Sequence, residues 1–325
     1  MHHRIMASIA VCAALVGAST AMAQSDDYPN KPVAVIIPAA AGNSPDIAAR
    51  LIANRLGEIW KQQVIIINRP GAGGLVAAEA ARGAPKDGYT LYMTQASTYT
   101  VLPIMQPKMP VDLHNDFIPI GLIGEQPIAV SVSPSLGVNT LSELIELVKK
   151  TPGGMMFAAT NRGGQSHLTG ELFRIRANID LTFVHAQGAS ASLTDVIAGR
   201  IPIMFEGIAG VSGAMKSGAV KVIAIAAEKR VPDYPDLPTV GETIPRFESK
   251  GWLALMAPAG TSENIVRKVN ADLRTVLDQA DVKQKFSVIG TYPHALSPEE
   301  TTEFIRKEED LWWPIVRQVA VEIKK

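Results

Sequence analysis

Val33-Ala34-Val35-Ile36-Ile37-Pro38-Ala39-Ala40-Ala41-Gly42-Asn43-Ser44-Pro45-Asp46-Ile47-Ala48-Ala49-Arg50-Leu51-Ile52 holds the fold in miniature. Residues 33–37 are apolar without alternation, the pattern of a strand covered on both faces in a parallel sheet. Ala39 to Asn43 is a loop of small residues. Ser44 is placed to cap a helix, Pro45 suits its first turn, and Asp46 favours its positive end. Ile47, Leu51 and Ile52 then recur at helical spacing. A strand, a short loop and a helix starting at the strand's C-terminal end make the repeating unit of doubly wound α/β proteins.

The unit recurs along the chain. Val64 to Ile67 reads as a second buried strand and Thr90 to Thr94 as a third, after the Asp87-Gly88 turn. Gly71-Ala72-Gly73-Gly74 resembles part of a dinucleotide fingerprint but lacks its third glycine and its acidic partner, so it is assigned to turn geometry and close packing. Thr140-Leu141-Ser142-Glu143 and Ser297-Pro298-Glu299-Glu300 are capping boxes that open helices. Met155 to Ala159, Leu181 to Val184, Ile201 to Phe205 and Val220 to Ala226 are further strand candidates. Ser166 is placed to cap the helix carrying Leu168, Leu172 and Ile175, and Pro314 is placed to kink the last helix. The apolar runs of Phe117 to Ser133, broken near Gly124-Glu125-Gln126-Pro127, are read as a crossing between two α/β blocks. Gly251 to Leu255 is read as the return. This predicts interleaved domains: residues 24–124 with 251–325, and residues 125–250.

The length of 325 residues suits about two domains of ~150 residues. The chain balances 31 basic against 31 acidic residues and is 47% hydrophobic. Neutrality disfavours a nucleic-acid partner, and the apolar content disfavours disorder. The single cysteine, Cys12, excludes a disulfide framework and a thiolate zinc site. Arg4, the apolar stretch Ile5 to Val16 and the small-x-small site Ala21-Met22-Ala23 together form a signal peptide, residues 1–23. Export to a bacterial periplasm with cleavage after Ala23 is the expectation, and Cys12 leaves with the leader. A buried N-terminal helix is the competing reading of this stretch.

Chemistry concentrates in loops at the C-terminal ends of the predicted strands, the edge where open α/β sheets bind ligands. Helices starting near Ser44, Ser166 and Ser190 expose free N–H groups that suit an anion such as a carboxylate. Gly42, Gly163, Gly164 and Gly188 let backbone approach a ligand closely, or they merely satisfy turn geometry. Arg162 is either a bidentate carboxylate partner or a solvated surface arginine. Glu206, at the end of a predicted strand, either orients a loop, pairs with Arg162 or serves as a structural hydrogen-bond acceptor. Enzyme signatures are missing. Gly164-Gln165-Ser166-His167-Leu168 fails the nucleophile-elbow pattern, and His114, His167, His185 and His294 show no metal spacing.

Tyr28-Pro29-Asn30-Lys31-Pro32 followed by Ile36 to Gly42 resembles the opening of the Bug family, the extracytoplasmic receptors of tripartite tricarboxylate transporters. Asn68 to Gly74, Ala84 to Leu91, Ser166-His167-Leu168, Asp195 with Gly199, Leu237 to Val240, and Ala257 to Thr261 continue the likeness in order over nearly the whole chain after the leader. The resemblance implies a type II-like periplasmic binding-protein fold, with two doubly wound α/β domains around a central ligand cleft. It implies that backbone amides and ordered water bind a carboxylate, with Ala40, Ala41, Gly42 and Asn43 on one side. Arg162, Gly163, Gly164, Gln165 and Ser166 stand opposite, and Ser97, Thr98, Gln187 and Gly188 form further walls. Asn43 stands where a second glycine is common, His185-Ala186-Gln187-Gly188 departs from the usual run, and Arg162 replaces a small or polar residue.

The expectation is therefore a non-enzymatic receptor for a small organic dicarboxylate, aliphatic or aromatic, working with membrane transporter subunits. It is expected to be a monomer without cofactor or metal. A secreted hydrolase on a similar fold and a ligand sensor for a membrane signalling protein are the other readings.

Overall fold

The computed structural model describes residues 28–160, 162–186 and 188–323. The expected leader and its expected cleavage site lie outside them, as do Asn161 and Gln187. In chain order the elements are β1 (Val33–Ile37), α1 (Ser44–Trp60), β2 (Val64–Asn68), α2 (Leu75–Arg82), β3 (Thr90–Gln95), α3 (Ala96–Thr100) and α4 (Leu102–Met105). The long strand β4 (Phe117–Val132) follows, then α5 (Leu141–Lys150), β5 (Met155–Thr160), α6 (Gln165–Ala177), β6 (Leu181–Ala186) and α7 (Ala189–Ile197). The remainder is β7 (Ile203–Gly207), α8 (Ile208–Lys216), β8 (Lys221–Ala226), β9 (Lys250–Pro258), α9 (Glu263–Asp278), α10 (Ala280–Val288), β10 (Tyr292–Pro293) and α11 (Pro298–Ile323).

Among the described residues the strands run in the order β2-β1-β3-β9-β4-β7-β5-β6, with β8 and β10 also paired to β4. β1 pairs β2 and β3 in parallel, and β5 pairs β6 and β7 in parallel. Strands β4 and β9 join these two half-sheets. Phe117 to Pro127 of β4 pair antiparallel with Pro258 to Lys250 of β9, while Ile128 to Val132 pair with β7 and β8. The segment Gly124 to Pro127, a break between apolar runs in the sequence, is thus continuous strand. It passes from one half-sheet to the other, with register shifts before it at Pro119/Gly121 and Leu122/Gly124.

Each half-sheet is covered on both faces, as its apolar strands require. In the first, Val35, Ile37, Leu91 and Met93 pack with Ile52 and Leu56 of α1 on one face. Tyr92, Trp252 and Ala254 pack with Ala77 and Ala78 of α2 on the other. In the second, Val130, Phe157 and Phe205 meet Leu168 and Leu172 of α6, while Ala158 and Met204 meet Val196 and Val211. Helix α11 contributes to both halves: Ile305 joins the first core, and Trp312 and Val316 join the second. Pro314 lies inside this helix without ending it. β2, read from sequence as buried, is an edge strand, and Ile65 is 47% exposed.

Candidate functional site

The C-terminal ends of β1 and β3 share one edge of the first half-sheet, and those of β5, β6 and β7 share one edge of the second. Helices α1, α3, α6, α7 and α8 begin there. In none of them does a side chain cap the first turn. Helices after antiparallel strands at the opposite edge are treated differently. Thr140 caps α5 by accepting the Glu143 N–H, Ser262 caps α9, and Ser297 caps α11 in a full box with Glu300. First-turn N–H groups at the shared edge are therefore left for another acceptor.

The first loop is held by the helix it precedes. Gly42 has φ +85°, Asn43 is extended at the N-cap, and the Gly42 N–H donates to Asp46 Oδ2 at 2.8 Å. Asn68 Nδ2 and Arg50 Nε donate to the same buried carboxylate, and Asn68 Nδ2 also reaches the Ala39 carbonyl. Burial opposes ionisation of Asp46, yet the hydrogen bonds from Arg50, Asn68 and Gly42 hold its pKa at about 2. The N-cap is thus Asn43, one residue before the expected Ser44. Gly42 takes the left-handed turn.

The loop before α6 is built the same way. Gly163 has φ +78°, Gly164 is the extended N-cap, and the Gly163 N–H donates to His167 Nδ1 at 2.9 Å. Burial, reinforced by the positive charge of Arg162, pushes the His167 pKa down to about 4, so its ring is a neutral acceptor. It lies against Phe183, with ring centroids 3.9 Å apart. Gln165 Nε2 donates to Ser249 Oγ on the approach to β9, and Thr169 shares that hydroxyl. Ser166, expected as the cap, sits within the helix, and its hydroxyl donates to Glu206 Oε1 at 3.2 Å. Thr160 Oγ1 and the Gly207 N–H also donate to Glu206, and burial raises its pKa.

Arg162 is exposed, and its guanidinium stands over the Phe183 ring at 5.0 Å. The hydrogen bonds of Glu206 come from Thr160, Ser166 and Gly207, so this carboxyl joins the ends of β5 and β7 to α6. Gly188 is the N-cap of α7 with φ +99°. Ser97 Oγ accepts from Gln95 Nε2, and Thr98 Oγ1 donates to the Gly73 carbonyl. A Cβ on Gly163 would lie 3.7 Å from Val101, directly after α3, so the second half's loop meets the first half here. Ala40 and Ala41 complete the first loop. Thr169 and Ser249 are supports that the sequence motifs did not single out, and Asn68 and His167 stand within the family-like motifs without a support role being legible there. Asp46 was read there only as a helix-end charge.

Among the described residues no group of histidine and acidic side chains could hold a metal ion, and no helix is long and apolar enough to cross a membrane. Residues 48–321 match the model of the tripartite tricarboxylate transporter family receptor. The chain is 30% identical to protein BugT of Bordetella pertussis over 323 residues, 99% of each chain. It is 30% identical to MatC from Rhodopseudomonas palustris, solved with bound malate, at a TM-score of 0.74 over 89% of this chain and 100% of that one. An R. palustris protein solved with adipate, Rpa4515, is 28% identical at a TM-score of 0.78, over 90% of this chain and 98% of that one. The two half-sheets thus have the architecture of periplasmic solute-binding proteins, and the chain belongs to the Bug family of tripartite tricarboxylate transporter receptors.

Proposed function

We propose that this receptor captures a small dicarboxylate in the periplasm and passes it to the membrane subunits of a tripartite tricarboxylate-type transporter. The observation that carries this reading is the split in helix capping. At the edge shared by the loops, the helix starts keep their N–H groups unsatisfied by side chains, whereas α5, α9 and α11 at the other edge are closed. Helix N-termini of this kind favour an anion through both hydrogen bonding and dipole. Malate and adipate, bound by the two R. palustris relatives, are dicarboxylates.

In this reading residues 24–124 with 251–325 form one lobe and 125–250 the other, and the lobes close on the ligand. The change of partner along β4 after Pro127 supports the division. One carboxylate binds the uncapped N–H groups of α1 and α6, with Ala40 to Asn43, Ser97, Thr98 and Gly163 to Ser166 around it, and Gly188 forming a wall. Arg162 leaves the Phe183 ring to take the second carboxylate. The receptor acts as a monomer, needs no cofactor and returns its ligand unchanged. Residues 1–23 direct export and are removed.

A thermal-shift screen of mono-, di- and tricarboxylates tests the proposal. Ligand at a hundred times its dissociation constant stabilises the native state by about 2.7 kcal/mol, so a dicarboxylate should raise the midpoint well above monocarboxylates. No shift with any carboxylate overturns the reading.

A further inference from the structure

Glu206 lies where three helices begin. Its Oε1 accepts the Ser166 hydroxyl in the first turn of α6 and the N–H of Gly207, the N-cap of α8. A Cβ on Gly210 would fall 3.4 Å from Glu206 Cγ and 3.7 Å from Ala189 Cβ, the first residue of α7. Thr160 at the end of β5 donates to Oε2. On β4 the residue in register is Ala129. Among the described residues every group that reaches this carboxyl from β4, β5, α6, α7 and α8 is therefore uncharged.

The two oxygens are held differently. Oε1 takes an N–H, which can only donate. Oε2 takes a hydroxyl, which can donate to a carboxylate or turn and accept from a carboxylic acid. The site thus accommodates both protonation states without moving a heavy atom. A buried acid lacking a cation is the arrangement in which a second negative charge nearby drives protonation.

We propose that Glu206 is the proton-linked specificity residue of the site: as a dianionic ligand seats among the same helix starts, Glu206 takes one proton from solvent onto Oε2. The bound complex then holds ligand dianion and neutral acid, and the charge of the protein–ligand pair rises by one relative to the separated partners. Left ionised, Glu206 competes for the helix ends and repels the ligand. Affinity for dianions therefore falls as pH rises between the pKa of Glu206 in the free receptor and its higher pKa in the complex, approaching tenfold per pH unit. This rests on the dicarboxylate reading above.

Calorimetry of the full chain without its leader, with adipate and malate as probes, tests it. Titrations run above the ligands' own pKa values, in two buffers of different ionisation enthalpy, count the protons taken up. We expect uptake approaching one proton per ligand in the wild type, and uptake lost with flat pH dependence in Glu206→Gln. Binding without proton uptake in the wild type overturns this inference and leaves the receptor reading intact. Equal uptake in Glu206→Gln assigns the proton elsewhere and also overturns it. Failure of every carboxylate to bind overturns both readings.

Discussion

Asp46 and His167 do the same work in opposite halves of the molecule. Each is the third residue of its helix, and each accepts the N–H of the left-handed glycine four positions earlier, at 2.8 Å from Gly42 and 2.9 Å from Gly163. The acceptors differ in chemistry. The Asp46 carboxylate stays ionised down to about pH 2, whereas His167 accepts only while neutral. Folded His167 resists protonation down to about pH 4, while in the unfolded chain an imidazole takes its proton near pH 6.5. The unfolded state binds more protons in that window, so the contribution of His167 to stability is present above about 6.5 and is lost as pH falls towards 4. Urea denaturation across this range should show His167→Phe losing less stability on acidification than the wild type. Parallel pH profiles would refute it.

Glu308 has the opposite sign. It is buried on α11, accepts the Trp252 indole N–H at 3.1 Å, and burial lifts its pKa to about 7 against the pull of Lys250. The folded state therefore holds its proton where an unfolded glutamate, near pH 4.3, has released it, and stability falls as pH rises from about 4.3 to 7. Glu308→Gln keeps an acceptor for Trp252 and should be relatively more stable by on the order of 3 kcal/mol at about pH 8 than in the same comparison at pH 4. The overlapping windows of His167 and Glu308 offset one another in the wild type, and each single variant should unmask the other's slope.

Gly170 tests how tightly α6 is seated. A Cβ there would fall 2.3 Å from Phe157 Cε2, inside a core that includes Phe157 and Leu168. Gly170→Ala gains helix propensity but overpacks the core, and should destabilise by about 1–3 kcal/mol while weakening adipate binding through a displaced α6. A neutral or stabilising result in thermal melts would count against it.

Gly163→Ala isolates the loop. A Cβ there meets Val101 at an ordinary 3.7 Å, so the cost is the positive φ, about 1–2 kcal/mol. Calorimetry should show weaker dicarboxylate binding with the core unperturbed. Unchanged affinity would mean that the loop does not bear on the ligand.

Arg162→Ala should lower affinity for adipate and malate by about tenfold, roughly 1.4 kcal/mol, and leave monocarboxylates little affected. An unchanged preference between the two classes removes Arg162 from the site.

The β-strand, loop and helix alternation was legible because the apolar runs of β1, β3, β5 and β7 have no reason to exist outside a doubly covered sheet. Capping residues were less legible, for a physical reason. Ser166 has the chemistry of a cap, but its hydroxyl is taken by Glu206, forty positions away, and no local pattern announces that partner. β2 and β1 carry similar isoleucine-rich runs, and only the order of strands decides that β2 is the edge. The part-buried ion pairs of Lys250 with Glu125 and Glu248, beside Glu308, were invisible, since charged residues read as surface until three elements fold onto them. Arg162 had two roles open, and its seat over Phe183 depends on a strand that the sequence does not place beside it.

Helix α11 has a mechanical meaning. Its Ile305 is embedded in one core and its Trp312 and Val316 in the other, and Trp313 Nε1 donates to the Tyr99 carbonyl between them. With β4 and β9 it makes a third splint across the junction, and a helix resists bending far more than a loop does. The lobe closure proposed above must therefore roll or flex this splint, which would limit both the travel of the two halves and the number of shapes that the proposed membrane partner has to distinguish.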